Sequence, residues 1–155
     1  SGIIHPANFA ANWRRALKPG GWIELVEIQV IPQSYDNTLP QASQILEFYN
    51  VLKPLGAKMG IDLDVARKFK GYLEEAGYDS VQEEIFDLPV GDWPQDRRMK
   101  EIGRYQRYQM IQGLGAIGTA LLTRLAGWDK MQVEVFLAGI RREANDPDVH
   151  VLYKL

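Results

Sequence analysis

The segment 16–27 constrains this chain most, because it joins a helix end, a forced break and an apolar stretch. Pro19 and the Gly20-Gly21 pair end the helix, since proline lacks an amide hydrogen and glycine allows the chain to turn. The stretch 22–31 that follows is apolar on both alternating faces, with few polar interruptions. This pattern is typical of a strand covered on both sides. The sequence therefore predicts a helix over 6–17 and, over 22–31, an inner strand of an α/β sheet.

Composition limits the class of protein and its partners. A chain of 155 residues with 46% hydrophobic residues can bury the core of one domain. Its formal net charge of −2, from 18 basic and 20 acidic residues, gives no electrostatic case for nucleic acid or an anionic membrane. Small molecules or proteins are the predicted partners. Without cysteine, a disulfide or thiolate metal site is excluded, and no apolar run reaches the length of a membrane span, so we expect a soluble, cytoplasmic protein.

The middle of the chain alternates helical and strand patterns. After a turn-rich segment at 32–40, a helix is expected whose inner face carries apolar residues at helical spacing. Another helix is predicted to begin at Asp64 and to end at Gly77, the position of a left-handed C-cap. A strand is then predicted over 78–88, with Ile85 among its inward residues.

The last third predicts two helices and a final strand. Asp92 is expected to cap a long helix and Pro94 to open it. Asp129, with Gln132 three residues later, forms a capping-box-like start for the next helix. The apolar residues of that helix fall at the i, i+3, i+4 and i+7 positions of a packed face: Val133, Phe136, Leu137 and Ile140. A strand over 149–155 is predicted to close the chain.

The segment 113–118 matches the pattern G-x-G-x-x-G, which in a nucleotide-binding fold brings the backbone close to a phosphate. That mechanism requires a strand before the first glycine. Here the preceding segment 104–112 is polar, aromatic and helical in pattern. The context favours the alternative, which is close packing or a kink within a long helix.

The chain has two histidines, His5 and His150, and neither lies in a metal-ligand spacing. We therefore predict no metal site. Imidazole titrates near neutral pH, so either residue is able to act as a general base on a hydroxyl substrate. The alternative for both is a packed or surface histidine. His5 is taken as the candidate catalytic residue.

Aromatic and polar side chains near the predicted long helix are the candidates for substrate binding. They are Trp93, Tyr105, Tyr108 and Gln109, with Met110 and Trp128 nearby in the sequence. Aromatic and thioether surfaces suit a small-molecule pocket, but they equally suit ordinary core packing. The basic run at 97–107 is interleaved with tyrosines, which is also typical of nucleic-acid stacking surfaces. The acidic net charge favours a solvated helix face instead.

Four segments resemble the C-terminal half of fungal class I methyltransferases of secondary metabolism, the group that includes LaeA-like proteins. The first recurs across many methyltransferases, and the others, in this order, are more specific to the fungal group. They are WRRALKPGGWIELVE at 13–27, LEEAGYDSVQEEIFDLPVGDWPQDRRMKEIG at 73–103, LLTRLAGW at 121–128 and RREANDPDVHVLY at 141–153.

This resemblance implies an α/β fold: a partial Rossmann-like methyltransferase sheet, made of strands five to seven, with a helical substrate cap. Strand five would be 22–31, strand six 79–88 and strand seven 149–155, with cap helices around 39–58 and 95–126. The family binds S-adenosylmethionine through its first four strands, which have no counterpart here. The resemblance therefore implies a single domain over 1–155 in which the cofactor-binding half is absent and no cofactor-binding residue is identified.

A fifth strand without its neighbour leaves unpaired backbone groups and an uncovered apolar face. We therefore expect a homodimer or a complementary methyltransferase-like chain. The implied activity is S-adenosylmethionine-dependent methyl transfer to a small molecule. Two alternatives stay open: a cyclase or pericyclase that works without S-adenosylmethionine, and a noncatalytic module that pairs with a methyltransferase-like partner.

Overall fold

The computed structural model describes residues 6–155, with the side chains of all of these except 6–9, 11, 116 and 117. His5, the candidate catalytic residue from the sequence, therefore lies outside the described residues. Six α-helices are described: α1 (Pro6–Ala16), α2 (Gln44–Lys58), α3 (Phe69–Glu75), α4 (Arg97–Gly113), α5 (Thr119–Arg124) and α6 (Lys130–Ala144). Three strands accompany them: β1 (Gln29–Gln33), β2 (Asp87–Val90) and β3 (Val151–Lys154). A 3₁₀ turn, Val65–Lys68, leads into α3.

The strands of the described chain form one sheet in the order β1-β3-β2. β3 is antiparallel to both neighbours, so the last strand of the chain takes the central position. Asp87 pairs with Lys154 and Val90 with Val151 across β2 and β3. The pairing of β1 with β3 contains a register irregularity between Gln29 and Gln33. The α/β class predicted from the sequence is confirmed, with a small antiparallel sheet.

The predicted lengths of the first two strands are wrong. Pairing in the first begins only at Gln29, and in the segment before it Trp22 is 82% exposed instead of covered. The second strand begins at Asp87, and Ile85 points largely into solvent. The reason is physical: a strand needs a partner for its backbone groups, and the four-residue β3 supplies one only to the ends of these apolar segments.

Helix α6 carries the centre of the core, as its sequence pattern predicts. Val133, Leu137 and Ile140 are fully buried, and they pack with Ile45 of α2 and Val151 of β3. Its start is the predicted capping box, in which Asp129 accepts from the amide of Gln132 at 2.9 Å and Gln132 accepts from the amide of Asp129 at 3.1 Å. Both contacts satisfy donors that the helix leaves free at its first turn.

One carboxylate fixes the position of α2 against α6. Glu143, near the end of α6, accepts a hydrogen bond from the amide of Gln44 at 2.8 Å and another from the hydroxyl of Ser43. Ser43 is also the N-cap of α2 and accepts from the amide of Leu46 at 3.1 Å. A negative charge at a helix N-terminus is favourable, because it meets free amide groups and the positive end of the helix dipole.

The long helix α4 begins later than the sequence predicts. Its N-cap is Asp96, whose carboxylate accepts from the amide of Met99 at 2.8 Å. Asp92, the predicted cap, instead forms ion pairs with Arg104 and Arg107 at 3.4 and 3.2 Å. The prediction was wrong because both positions carry an aspartate, and only tertiary pairing distinguishes the two.

The glycine-rich segment 113–118 lies inside a continuous helical run. Leu114–Gly118 forms a π-helical turn that joins α4 to α5. Gly118 is buried, and a methyl group there would lie 3.2 Å from the side chain of Leu137. This confirms helix packing and a helix irregularity for the segment, in place of a phosphate-binding loop.

Two glycines allow β2 and α4 to approach closely. The amide of Gly91, at the end of β2, donates to the carbonyl oxygen of Gly103 in α4 at 2.9 Å. A Cβ atom at residue 103 would lie 1.9 Å from the carbonyl oxygen of Gly91. The contact therefore requires glycine at position 103. Among the described helices, none has the length and apolar character needed to cross a membrane.

We predict that Gly103→Ala destabilises the fold by about 3 kcal/mol, the upper part of the usual range for overpacking, because backbone must move to admit the methyl group. Chemical denaturation measures the change. Gly113→Ala is the control, since Gly113 has helical backbone angles and open space around it. That variant should gain about 0.5–1 kcal/mol from helix propensity. Equal stability of the two variants would contradict the close contact.

Candidate functional site

The sheet topology brings three loops together at one edge. Because β1 and β2 are both antiparallel to β3, they run in the same direction, and their carboxyl ends lie beside the amino end of β3. Asp36 follows β1, Trp93 follows β2, and His150 precedes β3. Ligands of open α/β sheets bind outside the carboxyl ends of strands. This edge of the sheet is therefore the candidate site.

A carboxylate and an imidazole form the centre of the arrangement. Nδ1 of His150 lies 2.5 Å from a carboxylate oxygen of Asp36. The hydroxyl of Thr38 donates to Asp36 at 2.8 Å and accepts from the backbone amide of His150 at 2.8 Å. The hydroxyl of Ser34 also donates to Asp36, at 2.9 Å. The loop after β1 is thus built around one carboxylate.

These contacts fix the charge of Asp36 and the tautomer of His150. The hydrogen bond from His150, followed by that from Thr38, holds the pKa of the Asp36 carboxyl well below its usual range. An ionised carboxylate only accepts hydrogen bonds, so Nδ1 of a neutral His150 carries the proton. The other ring nitrogen, Nε2, is then the acceptor. A carboxylate that orients an imidazole in this way also stabilises the imidazolium formed when Nε2 takes a proton.

Trp93 supports the imidazole from one face. Its ring stacks on that of His150, with centroids 4.8 Å apart and planes inclined by 19°. The indole Nε1 donates to the carbonyl oxygens of Val90 and Val151, at 3.1 and 3.3 Å, which ties Trp93 to the ends of two paired strands. The side chain of His150 remains 30% exposed. The imidazole is therefore held firmly and is still reachable from solvent.

The candidate residues from the sequence fall in different places. Trp93 lies in the site just described, although the sequence did not indicate its contact with His150. Tyr105 and Tyr108, at 73% and 64% exposure, lie with Gln109 on the exposed side of α4. The structure shows no contact that joins these three to Trp93 within the described residues. His5 lies outside the described residues.

The two remaining candidates, a methionine and a tryptophan, belong to the core. Met110 and Trp128 pack against the buried cluster, and Trp128 meets Phe136 edge to face at 5.1 Å. Sequence reasoning missed Ser34, Asp36 and Thr38, which it assigned only to a turn-rich segment. The alternation of hydroxyl and carboxyl residues was visible there, but nothing in the sequence joins that segment to His150, which is 114 positions from Asp36.

A separate open groove lies on the other side of the fold. Helices α1 and α3 and the segments 17–29 and 76–86 line it. Its apolar lining includes Trp22, Val26, Ile85 and Phe86, all exposed. β1 lies at the edge of the sheet, and within the described chain only β3 pairs with it. Exposed apolar side chains and a strand edge without a strand partner are both features of surfaces that bind other proteins.

The glycine-rich segment of the described chain does not form a nucleoside-binding turn. A dinucleotide-type or nucleoside site requires amides free at a turn between a strand and a helix, whereas the glycines at 113–118 lie within a helical run. Within residues 6–155, no three His, Asp or Glu side chains are placed to hold a metal ion. What the arrangement offers chemically is a proton acceptor at Nε2 of His150, oriented by Asp36.

Comparison with known proteins gives fungal relatives. The chain is 36% identical over 137 residues to a protein named methyltransferase pytC from Aspergillus terreus, which covers 88% of this chain and 42% of that protein. It is 34% identical to the secondary metabolism regulator LAE1 of Cochliobolus heterostrophus, over 86% of this chain and 44% of the relative. The probable methyltransferase tdiE of Emericella nidulans is 27% identical over 87% of this chain and 43% of its own length.

The chain thus spans less than half the length of these curated relatives. No family model matches the chain. No solved structure matches it either. The homologues confirm the resemblance to fungal methyltransferases and LaeA proteins, and they leave the individual site residues untested.

We predict that Asp36→Asn lowers the thermal unfolding midpoint at neutral pH and that its effect disappears in strong acid. The folded-state pKa of Asp36 is depressed from the ordinary value of 3.8, so its contribution to stability is present above that pH and is lost as pH falls through the folded pKa. Circular dichroism melts across the acid range measure the difference. Glu134→Gln, which removes an exposed carboxylate on α6, is the control. A wild-type advantage over Asp36→Asn that persists undiminished in acid would contradict the pairing.

Proposed function

This chain is a homologue of fungal methyltransferases and of LaeA regulators of secondary metabolism, and from that premise we propose that it forms part of an S-adenosylmethionine-dependent methyltransferase. In this proposal, the substrate is a small-molecule secondary metabolite, and the chain supplies the part of the protein that covers it. The observation that carries the proposal is the cluster at the carboxyl edge of the sheet, where Asp36, His150 and Trp93 meet. Three loops converge there on a proton acceptor that solvent can reach.

The proposal assigns β1, β2 and β3 to strands five, six and seven of a Rossmann-like methyltransferase sheet. Helices α2 and α4 would belong to the substrate cap. Their placement supports this role: α2 packs against β1 and α6, and α4 packs against β2, so both flank the strands whose ends carry the site. Tyr105, Tyr108 and Gln109, on the exposed side of α4, remain proposed substrate contacts.

The cofactor is proposed to bind outside this chain. The glycine-rich segment does not form the turn that would hold a nucleoside, and the relatives are about twice as long as this chain. The proposed contribution of the described residues is to hold the metabolite and to orient its reacting group, which is a large part of the work of a group-transfer enzyme.

The groove and the free edge of β1 are proposed to receive the remainder of the fold. A methyltransferase-like segment with an exposed strand could add its backbone hydrogen bonds to β1 and cover Trp22 and Val26. Such a segment belongs to a complementary chain or to a longer form of this protein. A second copy of the chain is the homodimeric form of the same proposal.

Two other functions have a specific observation in their favour. The helical course of the glycine-rich segment, where a phosphate-binding loop was the other interpretation, favours a methyltransferase-like cyclase or pericyclase, in which polar and aromatic side chains alone steer an intermediate. The relatives named regulators favour a noncatalytic module that pairs with a methyltransferase-like protein. Ligand retained by the purified protein and identified by mass spectrometry separates these two.

We predict that the chain alone binds S-adenosylmethionine no more tightly than about 1 mM, which is at the limit of isothermal titration calorimetry. A protein extended to the length of the curated relatives, with their missing region included, should bind it at least about 100-fold more tightly. Saturable binding by residues 1–155 alone would contradict the placement of the cofactor site outside this chain.

We also predict that the isolated chain self-associates, because its groove exposes apolar side chains and an unpaired strand edge. Light scattering after size exclusion should give a mass above the 17.6 kDa of one chain. Trp22→Lys should shift the mass towards that of a monomer, since it places a charge in the groove. Met131→Lys is the matched control, because Met131 is 77% exposed on α6 and Trp22 is 82% exposed. A stable, non-aggregating wild-type monomer would contradict self-association through this surface and so the homodimeric form of the proposal.

A further inference from the structure

We propose that His150 and Asp36 form a binding site for the acidic hydroxyl of a small molecule, a phenol or an enol, and that His150 takes its proton. The inference rests on the proposed function, in which this hydroxyl is the group that becomes methylated. It goes further by naming the chemical class of the substrate, the accepting atom and the residue that positions it. Within this site, His150 is the residue that touches the substrate and Asp36 is the positioning residue.

The two ring nitrogens of His150 have different surroundings. Nδ1 is occupied by Asp36, and none of the described residues forms a hydrogen bond with Nε2. A histidine that only fastened the 34–38 loop to β3 would need no more than Nδ1 and its backbone amide, both of which are used. The contacts that hold the 34–38 loop against β3 do not involve Nε2, which is left as an acceptor.

The imidazole of His150 is held in one orientation by its neighbours. Trp93 covers one face of the imidazole at 4.8 Å and is itself fixed by two carbonyl oxygens. Asp36 is fixed in turn by Thr38 and Ser34. Every neighbour of the ring is therefore held by the ends of the sheet or by the loop. A proton acceptor held in this way does not have to be reoriented when the substrate binds.

An imidazole acceptor suits an acidic hydroxyl donor. Histidine has an ordinary pKa of about 6.5, and a phenol such as tyrosine has one of about 10. This difference is small enough for proton transfer in a transition state, whereas an amide or an unactivated alcohol holds its proton far more tightly. In the step itself, the O–H bond breaks, the oxygen keeps the electron pair, and the proton moves to Nε2. The imidazolium lies beside the Asp36 carboxylate and later releases the proton to water.

4-Nitrophenol is a suitable probe, because its phenol and phenolate forms absorb at different wavelengths. The chain has only two histidines, so His5→Gln leaves a single imidazole whose nitrogen-15 resonances belong to His150. In that background, the Nε2 resonance should show an unprotonated nitrogen and should shift saturably as 4-nitrophenol is added. The bound probe should absorb more like the phenolate than the free probe does at the same pH.

The matched variant is His150→Asn in the wild-type background, which keeps His5. An asparagine amide can still donate to Asp36, so the loop contact is kept while the acceptor at Nε2 is removed. We expect at least about tenfold weaker binding of 4-nitrophenol and loss of its spectral change. Asp36→Asn should bind the probe but show a smaller phenolate signal, because the imidazolium loses its charged partner.

Three results would overturn the inference. They are a His150 resonance that does not respond to 4-nitrophenol, binding that His150→Asn leaves unchanged, and a resonance that shows a proton on Nε2. None of these readouts depends on methyl transfer or on S-adenosylmethionine. A failure here is therefore distinct from a failure of the proposed function, which the calorimetry on the extended protein tests.

Discussion

The pairing of β3 between β1 and β2 is the constraint on which the rest of the structure depends. A central strand antiparallel to both neighbours forces those neighbours to run in one direction. The loops that leave their carboxyl ends must then meet the loop that enters β3. The contact between Asp36 and His150 follows directly, and so does the stacking of Trp93 on His150, because each residue lies a few positions from a strand end.

Helix α6 provides the surface on which the other elements assemble. Burial of a large aliphatic or aromatic side chain contributes about 1.5–3 kcal/mol, and α6 contributes more such side chains to the core than any other described element. Its end also carries Glu143, which holds the first turn of α2. The arrangement explains why the loop after β1 is well placed: α2 begins directly after it and is fixed at that end. The site therefore depends on packing some distance from it.

The sequence predicted those features that local chemistry determines. The capping box at Asp129, the apolar face of α6 and the helix end at Gly77, whose φ is +79°, all follow from short-range patterns, and the structure confirms them. The strand lengths were not predictable in this way. An apolar alternation shows that a segment could pair, but pairing also needs a partner strand, and 22–28 has none within the described chain. A local pattern thus shows that a segment is able to form a strand, and the topology determines whether a partner strand lies beside it.

The same distinction separates the predicted from the observed site. Trp93 was chosen for its aromatic character, which a sequence displays, but its role depends on the stacking of His150 and on carbonyl groups of two strands. Asp36 and His150 are 114 positions apart in the sequence. A motif defined by short-range spacing does not include such a pair, because the two residues meet only when β3 lies between β1 and β2.

The two unsatisfied surfaces of the molecule are linked through β1. One edge of this strand pairs with β3, its other edge has no strand partner within the described chain, and its first residue, Gln29, lines the groove. A further strand added at the free edge, in the direction of β1, would place its own carboxyl end next to the loop of Asp36. Ligands bind outside such ends, so a cofactor held by the added part would lie beside the hydroxyl that His150 is proposed to deprotonate. An added strand that completed the sheet would then also complete the site, because it would pair with β1, the strand that leads into the loop of Asp36.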